Sequence, residues 1–214
     1  MNTDLTVYYA QRAIEYEKIY LKSEREHDLL ILKDFLKKTF RGKDAIEIAC
    51  GTGYWTHVIA ETARSILATD YNSEVLAVAK SKSYQCSRVS FQIADAFLLD
   101  SFAPEFNAGL CAFWWSHIPK NQINQFVKSF HSPLQKSATV VIVDNLYVER
   151  SSTPIHRTDA AGNTYQLRQL QDGSVHEIIK NFPTKDEILN YLSPFATNIR
   201  FSNLEYFWIA EYSI

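Results

Sequence analysis

The chain is poor in residues that would tie it together covalently or around a metal. Its 214 residues include three cysteines, Cys50, Cys86 and Cys111, and no CxxC pair. An odd, scattered count argues against a disulfide framework or a zinc site and fits a reducing, cytoplasmic setting. Charge of one sign is also lacking: 22 Lys and Arg face 24 Asp and Glu, interspersed along the chain, for a net charge of -2. Nucleic-acid binding therefore has no electrostatic support at this level. No apolar run reaches the roughly 18 residues of a membrane span. The opening "MNTDLTVYYAQRAIEYEKIY" is polar and charged, so neither a signal peptide nor a membrane segment is expected. Repeats and low-complexity stretches are absent. Glycine is scarce, with six in all, yet two stand one residue apart in "EIACGTGYWT", Glu47 to Thr56.

What is present is ordinary globular material, 46% hydrophobic and 21% charged, enough for one domain with a real core. The first 40 residues read as helical, with apolar positions at spacings of three and four up to a stop at Gly42. Strands follow at "DAIEIAC", "SILATD", "VSFQIAD", "FNAGLCAFWWS" and "ATVVIVDN". Helices lie between them, at "TGYWTHVIAETA", "SEVLAVAKSKS" with Ser73 as N-cap, and "NQINQFVKSFHSPL". Five alternations of strand and helix predict an α/β fold, a doubly wound, mainly parallel, Rossmann-like sheet. Beyond Asn145 the pattern changes. "GNTYQLRQLQDGSVHEIIKNF" reads as two strands about the Asp172-Gly173 turn. "TKDEILNYLSPF" is a helix capped by Thr184, with Glu187 three residues on. "IRFSNLEYFWIAEYSI" supplies antiparallel C-terminal edge strands.

In such sheets ligands bind beyond the carboxyl ends of the strands. Asp70, Asp95 and Asp144 all fall at strand ends. A Gly-x-Gly turn after the first strand allows a ligand close to the backbone, because no Cβ intervenes. Asp70, at the end of the second strand, is placed to accept both hydroxyls of a ribose. A dinucleotide fingerprint needs a third glycine, where this chain has Thr56 after bulky Tyr54 and Trp55. A nicotinamide oxidoreductase is therefore the weaker reading.

The series "EIACGTG", "ATDYN" and "QIADAF" resembles the motifs of the class I S-adenosylmethionine-dependent methyltransferases, over roughly residues 8 to 150. One departure is Ala49, which stands where that family commonly has its first glycine. The resemblance implies S-adenosyl-L-methionine as cofactor and no metal. By it Glu47, Ala49, Gly51, Thr52 and Gly53 hold the methionine part, with Trp55 beside them. Asp70 would hold the ribose, Tyr71 would flank the adenine, and Asp95 with Ala96 and Phe97 would meet the adenine amino group. Phe113 and Trp114 would complete the cofactor pocket. It divides the single domain, 1–214, into N-terminal lid helices (1–42), a cofactor-binding core (43–146) and a hairpin insertion with helix and edge strands (147–214).

The acceptor side is read from three segments. In "FWWSHIPKNQ", His117 is the candidate general base, or a wall of the cofactor pocket. Trp115 is a candidate substrate contact, with core packing as the alternative for one of the two tryptophans. In the N-terminal segment Tyr8, Tyr9 and Arg12 are candidates to close over the acceptor, an arginine suiting a carboxylate by its fork geometry. In the insertion, His156, Arg157, Tyr165 and Arg168 concentrate polar chemistry, and Tyr165 is the candidate contact. The hairpin would wall the acceptor pocket or form a homodimer surface. Together these residues predict methyl transfer to nitrogen or oxygen of a small molecule. The alternative is a methyltransferase-like binding module that has lost turnover and acts through a partner.

Overall fold

The computed structural model describes residues 16–86, 88–170 and 172–214. Two short 3-10 turns, Tyr16–Leu21 and Ser23–Arg25, lead into helix α1, Glu26–Thr39. The wound unit then runs β1 (Asp44–Ile48), α2 (Tyr54–Ile59), β2 (Ser65–Asp70), α3 (Ser73–Lys80), β3 (Val89–Ile93), β4 (Phe106–Ala112), α4 (Ile123–His131) and β5 (Leu134–Asn145). A small sheet follows: β6 (Arg157–Thr158), β7 (Thr164–Gln169) and β8 (Val175–Ile179). Helix α5 (Lys185–Leu192) and strands β9 (Thr197–Asn203) and β10 (Phe207–Ser213) complete the chain.

The main sheet has seven strands in the order β3-β2-β1-β4-β5-β10-β9. β1 to β5 pair in parallel, while β10 runs antiparallel to β5 and β9 antiparallel to β10. The order reverses between β1 and β4, which opens a crevice at their carboxyl ends.

Alternation along the central strands sorts the core into two layers. Ala45, Leu110, Val141 and Val143 face one layer, with Leu32, Leu36 and Phe40 of the α1 segment and Ile59 of α2. Ile46, Ile48, Cys111, Val140 and Ile142 face the other, with Phe126 and Phe130 of α4, Ile188 of α5 and Trp208. Because helices cover both faces, β4 and β5 carry nearly continuous apolar runs. The α5 capping box forms as the sequence predicts: the Glu187 amide donates to Thr184 Oγ1 at 3.2 Å, and the Thr184 amide to Glu187 Oε2 at 2.8 Å. Ser73 is not the cap of α3. Asn72 holds that position, and Ser73 donates its hydroxyl to Glu74. Strand ends are shorter than the apolar runs implied, since β1 ends at Ile48, β3 at Ile93 and β4 at Ala112. The residues beyond them turn back as site loops.

The β6–β8 sheet is bolted to the wound unit. The Asn181 amide donates to Ser116 O at 2.7 Å, and Asn181 Nδ2 to Ile118 O at 3.0 Å. Both acceptors lie on the turn after β4. An isolated hairpin is only marginally stable, and these bonds supply its support.

At the end of α4, burial holds the His131 imidazole down to about pKa 4, against Tyr212 Oη at 2.8 Å. An unfolded imidazole takes up its proton near pH 6.5. The unfolded state therefore binds more protons between those values, and stability falls as pH drops through that window. Urea unfolding at pH 7 and pH 5 should show this loss. His131→Gln should make the slope shallower by up to about 1.4 kcal/mol per pH unit.

Candidate functional site

The turn after β1 is left-handed three times, at Ala49 (φ 51°), Gly51 (φ 56°) and Gly53 (φ 78°). This folds the chain sharply from β1 into α2 beside the end of β2. A left-handed alanine carries strain that glycine would not. Phe113, just past β4, is also left-handed at φ 61°. The two strained non-glycine residues thus sit at the ends of the two strands that flank the crevice, the setting in which such strain is commonly stored.

The amides of the turn are already engaged. Gly51 N–H donates to Asp70 Oδ2 at 2.9 Å, and Gly53 N–H to Cys50 O at 3.0 Å. Asp70 also accepts from the Asn72 amide at 2.9 Å. A pyrophosphate would find these N–H groups spent, one on the Asp70 carboxylate and one on the Cys50 carbonyl, whereas a ligand with hydroxyl groups meets an acid. Gly53 is bare for packing rather than for ligand approach. A Cβ there would lie 2.5 Å from Tyr84 Oη and 3.1 Å from Ala79 Cβ. Glu47 is 1% exposed, and Thr56 Oγ1 donates to its Oε2 at 2.5 Å. Burial raises its pKa to about 8. Glu47 therefore lies beneath the turn and presents no surface to a ligand. Burial also raises the Asp70 carboxyl, against the lowering effect of its backbone N–H donors.

Asp95 lies two residues beyond β3 and accepts from the Phe97 amide at 2.9 Å. Ala96 is buried in the α4-side layer, and Tyr71 is exposed. The N-terminal segment crosses the glycine turn. Thr52 Oγ1 donates to Glu17 Oε1 at 2.8 Å, and Lys82 pairs with the same carboxylate. Tyr20 stacks on Tyr54 at 3.9 Å between centroids and accepts from Trp55 Nε1 at 3.0 Å. Trp55 in turn stacks on Phe113 at 5.6 Å. Glu17 and Tyr20 were not expected from the sequence, where a plain amphipathic repeat hid them. Tyr8, Tyr9 and Arg12 lie outside the described residues.

A second depression, a cleft of about 100 Å³, opens beside Phe113. His117 and Asn145 line its floor, Gln166, Arg168, Ile178 and Lys180 of the hairpin its wall, and Lys22 and Arg25 its mouth. Behind it Asp144 is fully buried. Asp144 accepts from the Ser116 amide at 2.8 Å, Ser116 Oγ at 3.0 Å, the Asn145 amide at 2.7 Å and Lys180 Nζ at 3.1 Å. Lys180 also donates to Ser116 Oγ at 2.6 Å. His117 Nδ1 lies 2.8 Å from Ile179 O. A carbonyl only accepts, so Nδ1 carries the proton. Burial and the Lys180 cation hold the ring well below its usual pKa, and it stays neutral. That makes His117 a weak base and a wall of the cleft.

Two expected contacts move away from the site. Trp115 is 1% exposed and packs edge-on against Phe126, Tyr191 and Trp208; it is core. Tyr165 donates to Asp159 Oδ2 at 3.0 Å under the Arg157 guanidinium, 3.7 Å from its ring. Strand alternation explains this, since Gln166 and Arg168 take the cleft face of β7 and Tyr165 the other. Lys180 went unrecognised. Its signal was a lysine closing an apolar strand in "EIIKNF". Among the described residues no cluster of metal-ligating side chains occurs, and no helix is long and apolar enough to cross a membrane.

The profile of the methyltransferase domain family matches residues 45–137. Two solved structures of DhpI, one with SAH and one with SAM and HEP, are 25% identical to the chain. They superpose with TM-scores of 0.77 and 0.78, covering 98% of this chain and 94% and 95% of theirs. Magnesium protoporphyrin IX methyltransferase (ChlM) from Synechocystis PCC 6803, with bound SAM, shares the fold at 12% identity and a TM-score of 0.64, over 98% of this chain and 94% of that one. No curated protein sequence matches. The domain match and the sheet order agree: the chain has the Rossmann-like fold of methyltransferases whose structures hold SAM or SAH.

Two stability predictions follow from this geometry. Ala49→Gly should relieve the left-handed strain and raise unfolding stability by about 0.5–1 kcal/mol in urea titration. Lys180→Met should cost about 3–5 kcal/mol by stranding Asp144, and the pair Asp144→Leu with Lys180→Met should recover much of that loss.

Proposed function

We propose that this protein binds S-adenosyl-L-methionine at the turn after β1 and moves its methyl group to nitrogen or oxygen of a small-molecule acceptor held in the Lys180 cleft. The observation that carries this reading is the partition of charge about Phe113. The Asp70 carboxylate holds the turn on one side, and a walled cleft with no acid among its described lining residues lies on the other. The cofactor supplies a methyl group on a cationic sulfur. Asp70 would hold the ribose hydroxyls, and Asp95 would receive the adenine amino group, with Tyr71 flanking the ring. Glu47 would act through Thr56, fixing the turn beneath the methionine end. Phe113 and Trp114 would separate the two compartments, and the Glu17–Tyr20 segment would cover the cofactor.

A small acceptor suits a cleft enclosed by the hairpin and the N-terminal turns. Positioning and exclusion of water account for much of the catalysis when a methyl group moves to a nucleophile that needs no proton removed. His117, neutral and weakly basic, fits the wall of such a site.

Calorimetric titration tests the cofactor assignment. S-adenosylhomocysteine should bind and NAD should not, and Asp70→Ala should weaken binding by about tenfold or more, at least 1.4 kcal/mol. Unchanged affinity in Asp70→Ala would refute the site. Turnover with any acceptor excludes the alternative of a binding module that has lost its chemistry.

A further inference from the structure

Four cationic side chains converge on the cleft beside Phe113. They arrive from three separate parts of the chain: Lys22 and Arg25 before α1, Arg168 on β7, and Lys180 just after β8. No aspartate or glutamate is among the described lining residues. Asp144, fully buried, meets the set from behind through Lys180. Glu24 stands at the rim, 3.9 Å from Lys22. The groups that steady the cations are largely neutral oxygens. Arg25 donates to Ser151 Oγ at 3.0 Å and to Asn145 Oδ1 at 3.4 Å. Arg168 donates to Thr153 Oγ1 at 2.5 Å and Gln166 Oε1 at 2.7 Å. Lys22 donates to Ser151 O at 2.9 Å.

Four cations against Asp144 and Glu24 leave this assembly with an excess of positive charge among the described residues. Burial lowers the pKa values of Lys22, Arg25 and Lys180, and the field of Arg168 lowers each further. Like charges held this way concentrate anions and bind them strongly once water is displaced. Two guanidinium forks and a buried ammonium match the oxygens of an oxyanion in geometry as well as charge.

We propose that the cleft is an oxyanion subsite, and that the methyl acceptor is a small anionic molecule whose phosphate-type or carboxylate group is gripped by Arg25, Arg168 and Lys180. The subsite rests on the methyltransferase reading only for its role; its anion affinity is a property of the cleft itself. Four cations suit a dianion better than a single carboxylate, so phosphate-type groups are preferred. Lys22, half-exposed at the mouth, steers the anion inward.

The test is calorimetric titration of the whole protein, saturated with S-adenosylhomocysteine, with inorganic phosphate, acetate and neutral acetamide. Phosphate should bind saturably and more tightly than acetate, acetamide should not bind, and added salt should weaken the phosphate affinity. Arg168→Gln and Arg25→Gln, at positions held by neutral oxygens, should each weaken phosphate by about tenfold. Both should leave S-adenosylhomocysteine affinity within about twofold. Acetate binding tighter than phosphate overturns the dianion preference. Saturable binding of neither anion, or binding indifferent to both substitutions, overturns the subsite. If phosphate binds with this pattern to a protein that ignores S-adenosylhomocysteine, the cofactor assignment falls and the subsite stands.

Discussion

The Lys180–Asp144 pair is the contact on which the rest of the cleft beside Phe113 depends. Asp144 is the next-to-last residue of the central strand β5, and Lys180 directly follows β8 of the small sheet. Their bond at 3.1 Å, shared with Ser116, joins the hairpin to the wound unit at the carboxyl end of the parallel strands. Taking two charges out of water costs about as much as their attraction returns. The effect of the pair is therefore positional. It brings the cleft face of β7, with Gln166 and Arg168, over the crevice, and it places a cation beside His117. Burial, with that cation, keeps the imidazole neutral, and its Nδ1–H is committed to Ile179.

A second constraint is the turn after β1. Three consecutive odd positions, 49, 51 and 53, adopt left-handed backbone, and the amide of Gly51 is tied to Asp70. The turn is therefore built to present carboxylate rather than N–H groups. Across Phe113 the sign reverses, and the lining is cationic.

Much of the architecture was legible in the chain. The five parallel strands with helices after β1, β2 and β4, the Asp172-Gly173 hairpin and the Thr184 capping box depend on local pattern, and local pattern decided them; the helix that strict alternation would place between β3 and β4 does not form. Placement was legible where a motif sits on a strand end, as with Asp70 closing β2 and the glycine turn following β1. It was not legible where the outcome depended on which face a residue takes after folding. Tyr165 and Arg168 looked equivalent in sequence, and strand alternation sent one outward and the other into the cleft. Trp115 follows Trp114 directly, yet the 3-10 turn buries it against Trp208. Lys180 is a lone lysine whose partner lies 36 residues earlier in the chain, and no local signal joins them. Gly53 was read as room for a ligand, but that space is filled by Tyr84 from beyond α3.

The most direct measurement of the central claim is a crystal structure of the protein bound to S-adenosylhomocysteine. The account predicts the ribose on Asp70 and the sulfur facing the Phe113 and His117 wall, open toward Arg168 and Lys180. A sulfur turned away from that wall, or a ligand seated elsewhere, would contradict it.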